Sequence, residues 1–255
     1  MTNQLNYQKL GNSSEYLILI HGLFGSLENL NMVAKSLAET YTVISVDVRN
    51  HGASFHKEGM EYSALANDVV SLLDDLGIEK AHILGHSMGG KIAMQIALNF
   101  PERVEKLIVA DIAPVQYPAH HQRIIEGLKS LDFTTIKNRK DADSQLSAFV
   151  DDAGVRQFLL RNLSSNESGF ALKCNVHNIA DGYADIMKGQ NANTPSTHQT
   201  LFIKGGNSDY ITAEYRDQIA SLFPNSKARI IHGTGHWLHA EKPQAFNKVV
   251  KDFLA

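Results

Sequence analysis

Cysteine is almost absent from this sequence, since Cys174 is the only one among 255 residues. A single thiol excludes an intramolecular disulfide and any metal or iron–sulfur site that needs several thiolates. A chain without disulfides suits a reducing compartment, and we therefore expect a cytoplasmic protein.

The sequence also lacks a surplus of positive charge and long hydrophobic runs. Lys and Arg number 24 against 27 Asp and Glu, so the formal net charge is −3, and nucleic acid is a disfavoured partner. No apolar run approaches the roughly 18 residues of a membrane span, and residues 1–10 lack the basic start and apolar centre of a signal peptide. We expect no membrane association, and a monomer or a homodimer.

What the sequence does contain is an alternation of short apolar runs with longer segments of helical period. The predicted strands are residues 16–20, 41–47, 81–84, 104–110, 200–204 and 227–231. The predicted helices are residues 30–39, 61–76, 88–99, 213–222 and 244–254. This alternation predicts an α/β fold, with a mostly parallel sheet flanked by helices.

One long stretch, residues 114–195, interrupts the alternation and contains no convincing buried strand. It is too long for a connecting loop, because structureless loops beyond about 15 residues are uncommon in compact domains. Its apolar residues, such as Phe149 and Phe158, disfavour a disordered linker. We predict an α/β core formed by residues 1–111 and 196–255, with residues 112–195 inserted as a helical cap.

The most specific motif is Gly85-His86-Ser87-Met88-Gly89, which lies between a predicted strand and a predicted helix. A G-x-S-x-G pentapeptide in this context is typical of a nucleophile elbow, whose tight turn needs small residues on both sides of the serine. The motif predicts Ser87 as a nucleophile. At the helix N-terminus, the Met88 N–H has no helical partner and is a candidate oxyanion-hole donor.

A phosphate-binding loop overlaps this motif, because residues 85–91 also spell G-x-x-x-x-G-K. Such a loop needs Ser or Thr after the lysine to coordinate Mg²⁺. Ile92 occupies that position, so a nucleotide-hydrolysing function is disfavoured.

A nucleophilic serine needs a base, and His236 is the best placed of the twelve histidines. It lies in a glycine-containing loop between the last predicted strand and the C-terminal helix, where the base of a serine hydrolase is expected. A metal cluster of His232, His236 and His239 is the alternative. Gly233 and Gly235 make a helical H-x-x-x-H face unfavourable, and no metal site is predicted.

The second oxyanion-hole donor is expected in the loop after the first predicted strand, where His21-Gly22-Leu23-Phe24-Gly25 stands. Gly22 allows a sharp turn toward the nucleophile, and this leaves the Leu23 N–H as the partner of the Met88 N–H.

In their order and spacing, these segments resemble the α/β-hydrolase superfamily over nearly the whole chain. Asn50, the run Asp111-Ile112-Ala113-Pro114 and the run Gly205-Gly206-Asn207-Ser208 resemble those of YbfF-type esterases and their abhydrolase-domain-11-like relatives. The resemblance implies a cofactor-free serine hydrolase that acts on small-molecule acyl esters or thioesters through a Ser-His-Asp triad.

Two acids compete for the third position of that triad. The usual superfamily arrangement points to Asp209, whereas the resemblance to YbfF-type esterases implies Asp111. Either carboxylate follows a strand that ends near the final loop, and we favour Asp111. An apolar acyl pocket is expected from Phe24, Ile112, Pro114, Trp237 and Leu238.

The alternatives to ester hydrolysis for this sequence are carbon–carbon bond hydrolysis, perhydrolysis or a lyase step on the same fold, or binding without catalysis. The intact set of Ser87, His236, an acid and an oxyanion loop disfavours the binding module, because packing requires none of them.

Overall fold

The computed structural model describes residues 4–167 and 169–255 of the chain, so residues 1–3 of the predicted core and residue 168 of the predicted cap lie outside it. Within these ranges, a seven-stranded sheet runs in the order β1-β3-β2-β4-β5-β8-β9, and β6 and β7 form a separate hairpin. The strands are β1 (Tyr7–Leu10), β2 (Tyr16–Ile20), β3 (Thr42–Val46), β4 (Ala81–His86), β5 (Val104–Ala110), β6 (Leu163–Asn166), β7 (Gly169–Leu172), β8 (Thr200–Gly205) and β9 (Ser226–Ile231). Only β1 is antiparallel to its neighbour in the described sheet, which confirms the predicted α/β fold class.

Helices cover both faces of this sheet. They are α1 (Asn31–Leu37), α2 (Tyr62–Asp75), α3 (Met88–Asn99), α4 (Gln122–Lys129), α5 (Arg139–Leu146), α6 (Ala153–Leu159), α7 (Val176–Asp181), α8 (Tyr183–Met187), α9 (Arg216–Leu222), α10 (Leu238–Glu241) and α11 (Pro243–Leu254). In the part of the chain that the structure describes, none of them combines the length and apolar character needed to cross a membrane.

Alternate residues of the central strand β2 divide the core into two layers. Ile18 and Ile20 pack with residues of α2 and α3, whereas Leu17 and Leu19 pack with residues of α1 and α11. All four side chains are buried. Parallel strands covered on both faces need apolar residues at successive positions, which explains the unbroken run Leu17-Ile18-Leu19-Ile20.

Two elements differ from the sequence prediction. The strand β1 is an edge strand whose residues are mostly exposed. Its sequence therefore lacks the apolar run by which a buried strand is recognised. The hairpin β6-β7 lies inside the predicted helical cap, and β7 is only half-buried along its length. Short, half-buried strands carry little of the apolar pattern on which the prediction depended.

The segment between β5 and β8 contains the helices α4 to α8 and the hairpin, and it contacts the core beside the carboxyl ends of the strands. Asn50 is one anchor: its carbonyl oxygen accepts from the Asn175 N–H at 2.8 Å, and its Oδ1 accepts from Asn178 Nδ2 at 3.1 Å. Asn162 Nδ2 donates to the Phe24 carbonyl oxygen at 2.7 Å. Asn50 is fully buried with a φ of 63°, so this residue fixes both a turn of the core and the position of the inserted segment.

Candidate active site

Ser87 lies on a strained turn between β4 and α3. Its φ of 55° and ψ of −121° are rare for a residue with a side chain, and such strain persists only where the surroundings enforce it. A Cβ at Gly85 would overlap the Gly89 carbonyl oxygen, and one at Gly89 would overlap the Ile20 carbonyl oxygen. These contacts explain why both flanking positions of the pentapeptide are glycine.

Three side chains from separate strand ends form one hydrogen-bonded line. His236 Nε2 lies 3.0 Å from Ser87 Oγ, and His236 Nδ1 lies 2.7 Å from Asp111 Oδ2. A carboxylate can only accept, so the Nδ1–H donates to Asp111, and Nε2 is left to accept from the serine hydroxyl. The arrangement suits the removal of a proton from Ser87.

Asp111 is fully buried, and both of its carboxylate oxygens accept further hydrogen bonds. Its Oδ1 accepts from the Gly205 N–H at 2.9 Å, and its Oδ2 also accepts from the Ser208 hydroxyl. These donors stabilise a carboxylate that would otherwise be costly to bury. The carboxylate in turn holds the orientation of the His236 ring.

The two predicted acids have different positions. Asp111 contacts His236, whereas Asp209 is exposed and has no hydrogen bond to His236 among the described residues. The neighbour of Asp209, Ser208, is the residue that reaches the site, through its hydrogen bond to Asp111. Asp209 therefore does not hydrogen-bond to His236.

Two backbone N–H groups flank Ser87. Within the described residues, neither the Leu23 nor the Met88 N–H has a hydrogen-bond acceptor. The loop that carries Leu23 passes close to Ser87. A Cβ atom placed on Gly22 would lie only 3.2 Å from Ser87 Cβ. Unpaired N–H groups beside a nucleophile are suited to stabilise an oxyanion.

Comparison with known proteins identifies the family, since a model described as the alpha/beta hydrolase fold matches residues 15–243. The chain belongs to this α/β-hydrolase family. It is 39% identical to esterase YbfF of Escherichia coli K12, covering 93% of this chain and 92% of that protein. It is also 39% identical to the sn-1-specific diacylglycerol lipase ABHD11 of Mus musculus, covering 94% of this chain and 80% of that protein.

A solved structure described as a marine microorganism esterase superposes on this hydrolase with a TM-score of 0.96. The two chains are 39% identical, and the match covers 99% of this chain and 100% of the other. The predicted resemblance to YbfF-type esterases and their abhydrolase-domain-11-like relatives is confirmed.

Buried histidines hold the loops of the hydrolase around Ser87. His51 Nε2 accepts from the Phe24 N–H at 3.1 Å, and His51 Nδ1 donates to the Arg49 carbonyl oxygen at 2.9 Å. His86 Nε2 donates to the His236 carbonyl oxygen at 2.8 Å. Burial lowers the pKa of His51 to about 3 and, with the neighbouring His239, lowers that of His86 well below its usual range. Both rings are therefore neutral at pH 7, as the accepting nitrogen of His51 requires.

We expect these histidines to make the hydrolase less stable as the pH falls. Burial lowers the pKa of His51 from 6.5 to about 3, so below pH 6.5 the unfolded chain binds a proton that the folded protein does not. The contribution of His51 to the free energy of unfolding is therefore present above pH 6.5 and is lost on acidification. Between pH 7 and pH 5 the loss from this histidine is about 2 kcal/mol. The free energy of unfolding measured by urea titration at both pH values tests this.

The variant His51→Gln should be less stable at pH 7 but should lose less stability on acidification than the parent. The matched variant His177→Gln, at an exposed histidine of α7, should retain the parent's pH dependence. Equal pH dependence in the parent and His51→Gln would contradict the assignment.

A pocket of about 570 Å³ opens beside Ser87 and His236, beneath the inserted segment. Its walls include Phe24 and Trp237, which the sequence analysis expects in the acyl pocket, and the ring of Phe158 lies 5.5 Å from that of Trp237. The apolar walls are Leu23, Phe24, Ile124, Val155, Phe158, Leu159 and Trp237. The pocket suits a ligand with an extended apolar part.

Three predicted pocket residues lie elsewhere. Ile112 lines a smaller cavity on another side of Ser87. Pro114 and Leu238 do not line either of these two spaces. Pro114 is buried, and its carbonyl oxygen accepts from Gln218 Nε2 at 2.9 Å. Leu238 is fully buried in the core layer that contains α11.

Sequence reasoning missed several residues that line the large pocket. The ring of Tyr210 stacks on His236 with a centroid distance of 4.0 Å, and Tyr210 Oη lies 2.7 Å from His120 Nε2. His120 and His121 line the pocket as well. Their only sequence signal is the rare pair of adjacent histidines in the inserted segment.

Proposed function

We propose that this protein is a serine carboxylic ester hydrolase in which Ser87, His236 and Asp111 form the catalytic triad. The observation that carries the proposal is the hydrogen-bonded line from Ser87 Oγ through His236 to Asp111, at 3.0 and 2.7 Å. The ester-hydrolase names of its relatives support the same activity. The substrates are acyl esters or thioesters, which share the carbonyl carbon that a serine attacks.

In the first half of the reaction, His236 Nε2 takes the Ser87 proton while Oγ attacks the substrate carbonyl carbon. The Leu23 and Met88 N–H groups stabilise the tetrahedral oxyanion, and a donor of this kind typically contributes about 3 kcal/mol. Collapse of the intermediate breaks the bond to the alcohol or thiol, and His236 returns the proton to that leaving group. An acyl group remains on Ser87.

In the second half, water replaces the leaving group. His236 Nε2 takes a proton from water, and the hydroxide attacks the acyl carbon through a second oxyanion at the same N–H groups. Breakdown returns the proton to Ser87 and releases the carboxylic acid. Asp111 holds the Nδ1–H throughout and balances the imidazolium charge.

A fluorophosphonate probe tests the proposal, because it phosphonylates a serine that an adjacent base has activated. The folded protein should bind one probe, on the peptide that contains Ser87, in parallel with the loss of p-nitrophenyl acetate hydrolysis. Protein unfolded in urea should not be labelled, since the triad is then separated. Labelling of another residue, or ester hydrolysis that persists after full labelling, would refute the assignment.

We also infer that the protein works in a reducing compartment, the cytoplasm. Cys174 is a buried free thiol, and burial raises its pKa to about 12. Since this is the chain's only cysteine, no intramolecular disulfide has to be kept oxidised, and this suits a reducing compartment.

A further inference from the structure

A second, much smaller space adjoins Ser87. It measures about 30 Å³, against about 570 Å³ for the large pocket. Ser87, Leu23 and Tyr210 line both spaces, whereas Met88, Ile112 and Ile186 line only the small one. The small space therefore starts at the nucleophile and is closed by these apolar side chains together with Tyr62, Lys91 and Tyr117.

The proposed reaction distinguishes the two spaces, because the leaving group must receive its proton from His236 Nε2. His236 lines the large pocket and is not among the described residues that line the small cavity. The alcohol or thiol part of a substrate must therefore extend into the large pocket. The acyl chain, on the other side of the carbonyl carbon, is directed toward the small cavity beside Met88.

Hydrogen bonds hold the walls of the small cavity in place. The side-chain nitrogen of the buried Lys91 donates to the Val115 carbonyl oxygen at 2.8 Å and to the Lys188 carbonyl oxygen at 2.5 Å. Tyr62 Oη donates to the Ile186 carbonyl oxygen at 2.6 Å. Withdrawing these walls would leave buried polar groups unpaired, which is costly. The cavity consequently does not widen easily around a longer chain.

We propose that this cavity is the acyl site and that it restricts the enzyme to short acyl groups, from acetyl to butyryl, carried on larger alcohols or thiols. A space of this size has room for about two or three non-hydrogen atoms beyond the carbonyl carbon, since one water needs roughly 10 to 15 Å³. The large pocket accepts the bulkier leaving group. This inference rests on the proposed ester hydrolysis and specifies its substrate class.

Two isomeric esters provide the test, because they contain the same atoms with the long chain on opposite sides of the carbonyl. Hexyl acetate carries the chain on the alcohol, and ethyl hexanoate carries it on the acyl group. The parent should hydrolyse hexyl acetate with a kcat/KM at least about 10-fold higher, since even one misplaced methylene can cost that factor. A pH-stat records both reactions through the acid released. A preference for ethyl hexanoate would overturn the proposal.

Two isoleucine-to-alanine variants then locate the restriction. Ile186→Ala enlarges the small cavity and should raise the relative rate on ethyl hexanoate by about 10-fold or more. Ile124→Ala makes the same substitution in the large pocket and should not shift the ratio toward ethyl hexanoate. An equal shift in both variants, or none in Ile186→Ala, would place the restriction elsewhere. If Ile186→Ala does not fold, Met187→Ala enlarges the same cavity.

Failure of this inference is distinguishable from failure of the proposed function. If neither isomer is hydrolysed and the fluorophosphonate leaves Ser87 unlabelled, the ester-hydrolase proposal itself fails. If Ser87 is labelled and long acyl chains are preferred, ester hydrolysis stands and only the short-acyl assignment is overturned.

Discussion

Replacing Ser87 with alanine is expected to lower kcat/KM for p-nitrophenyl acetate by about 10⁵-fold or more, because loss of a triad nucleophile removes the acyl-enzyme route altogether. The variant should fold, since alanine keeps the Cβ that the strained turn already accommodates. Comparison of steady-state rates with thermal unfolding curves separates lost chemistry from lost structure.

A matched serine provides the control for this variant. Ser221 is exposed on α9, and its hydroxyl donates to the Gln218 carbonyl oxygen within the same helix. Ser221→Ala should therefore retain the parent's rate. If Ser87→Ala keeps more than about 10% of the parent's activity, Ser87 is not the nucleophile.

Asp111→Asn is expected to lower kcat by about 10³ to 10⁴-fold. An amide NH₂ facing His236 would force Nδ1 to accept and would leave a proton on Nε2, so the ring could no longer take the Ser87 proton. The amide also cannot balance the imidazolium charge. Asp209→Asn removes the same charge at an exposed position and should change kcat by less than about 3-fold.

The pair of aspartate variants can also contradict the assignment. A large loss in Asp209→Asn with a small loss in Asp111→Asn would reverse it. Moderate losses in both, with a far larger loss in the double variant, would mean that either carboxylate can orient His236, since independent sites combine additively.

The sequence predicts this site well where local constraint is strong. The turn at Ser87 needs glycine at positions 85 and 89, so the nucleophile can be recognised from the G-x-S-x-G pentapeptide. His236 is similarly predictable, because the loop after the last strand of a parallel sheet ends at the same edge as the loop after β4. The order of strands then brings the two residues together.

Other parts of the site depend on packing that short patterns do not encode. Leu238 and Pro114 have the apolar character of pocket walls, yet Leu238 is buried in the core layer that contains α11, and Pro114 is buried with its carbonyl oxygen bonded to Gln218. Tyr210 contacts His236 through a stack that only the folded loop creates. Exposed or half-buried strands such as β1 and β7 escaped prediction for a related reason, since they lack the apolar runs of the central sheet.

The bonds around Lys91 have a consequence for how the inserted segment can open. Val115 and Lys188 stand near the two ends of that segment, and the Tyr117 N–H joins these ends by donating to the Met187 carbonyl oxygen at 2.9 Å. A hinge at these two stems would have to break all of these bonds together. Any movement of the inserted segment should therefore leave these stems in place, and the Tyr117 amide should exchange its hydrogen only on global unfolding.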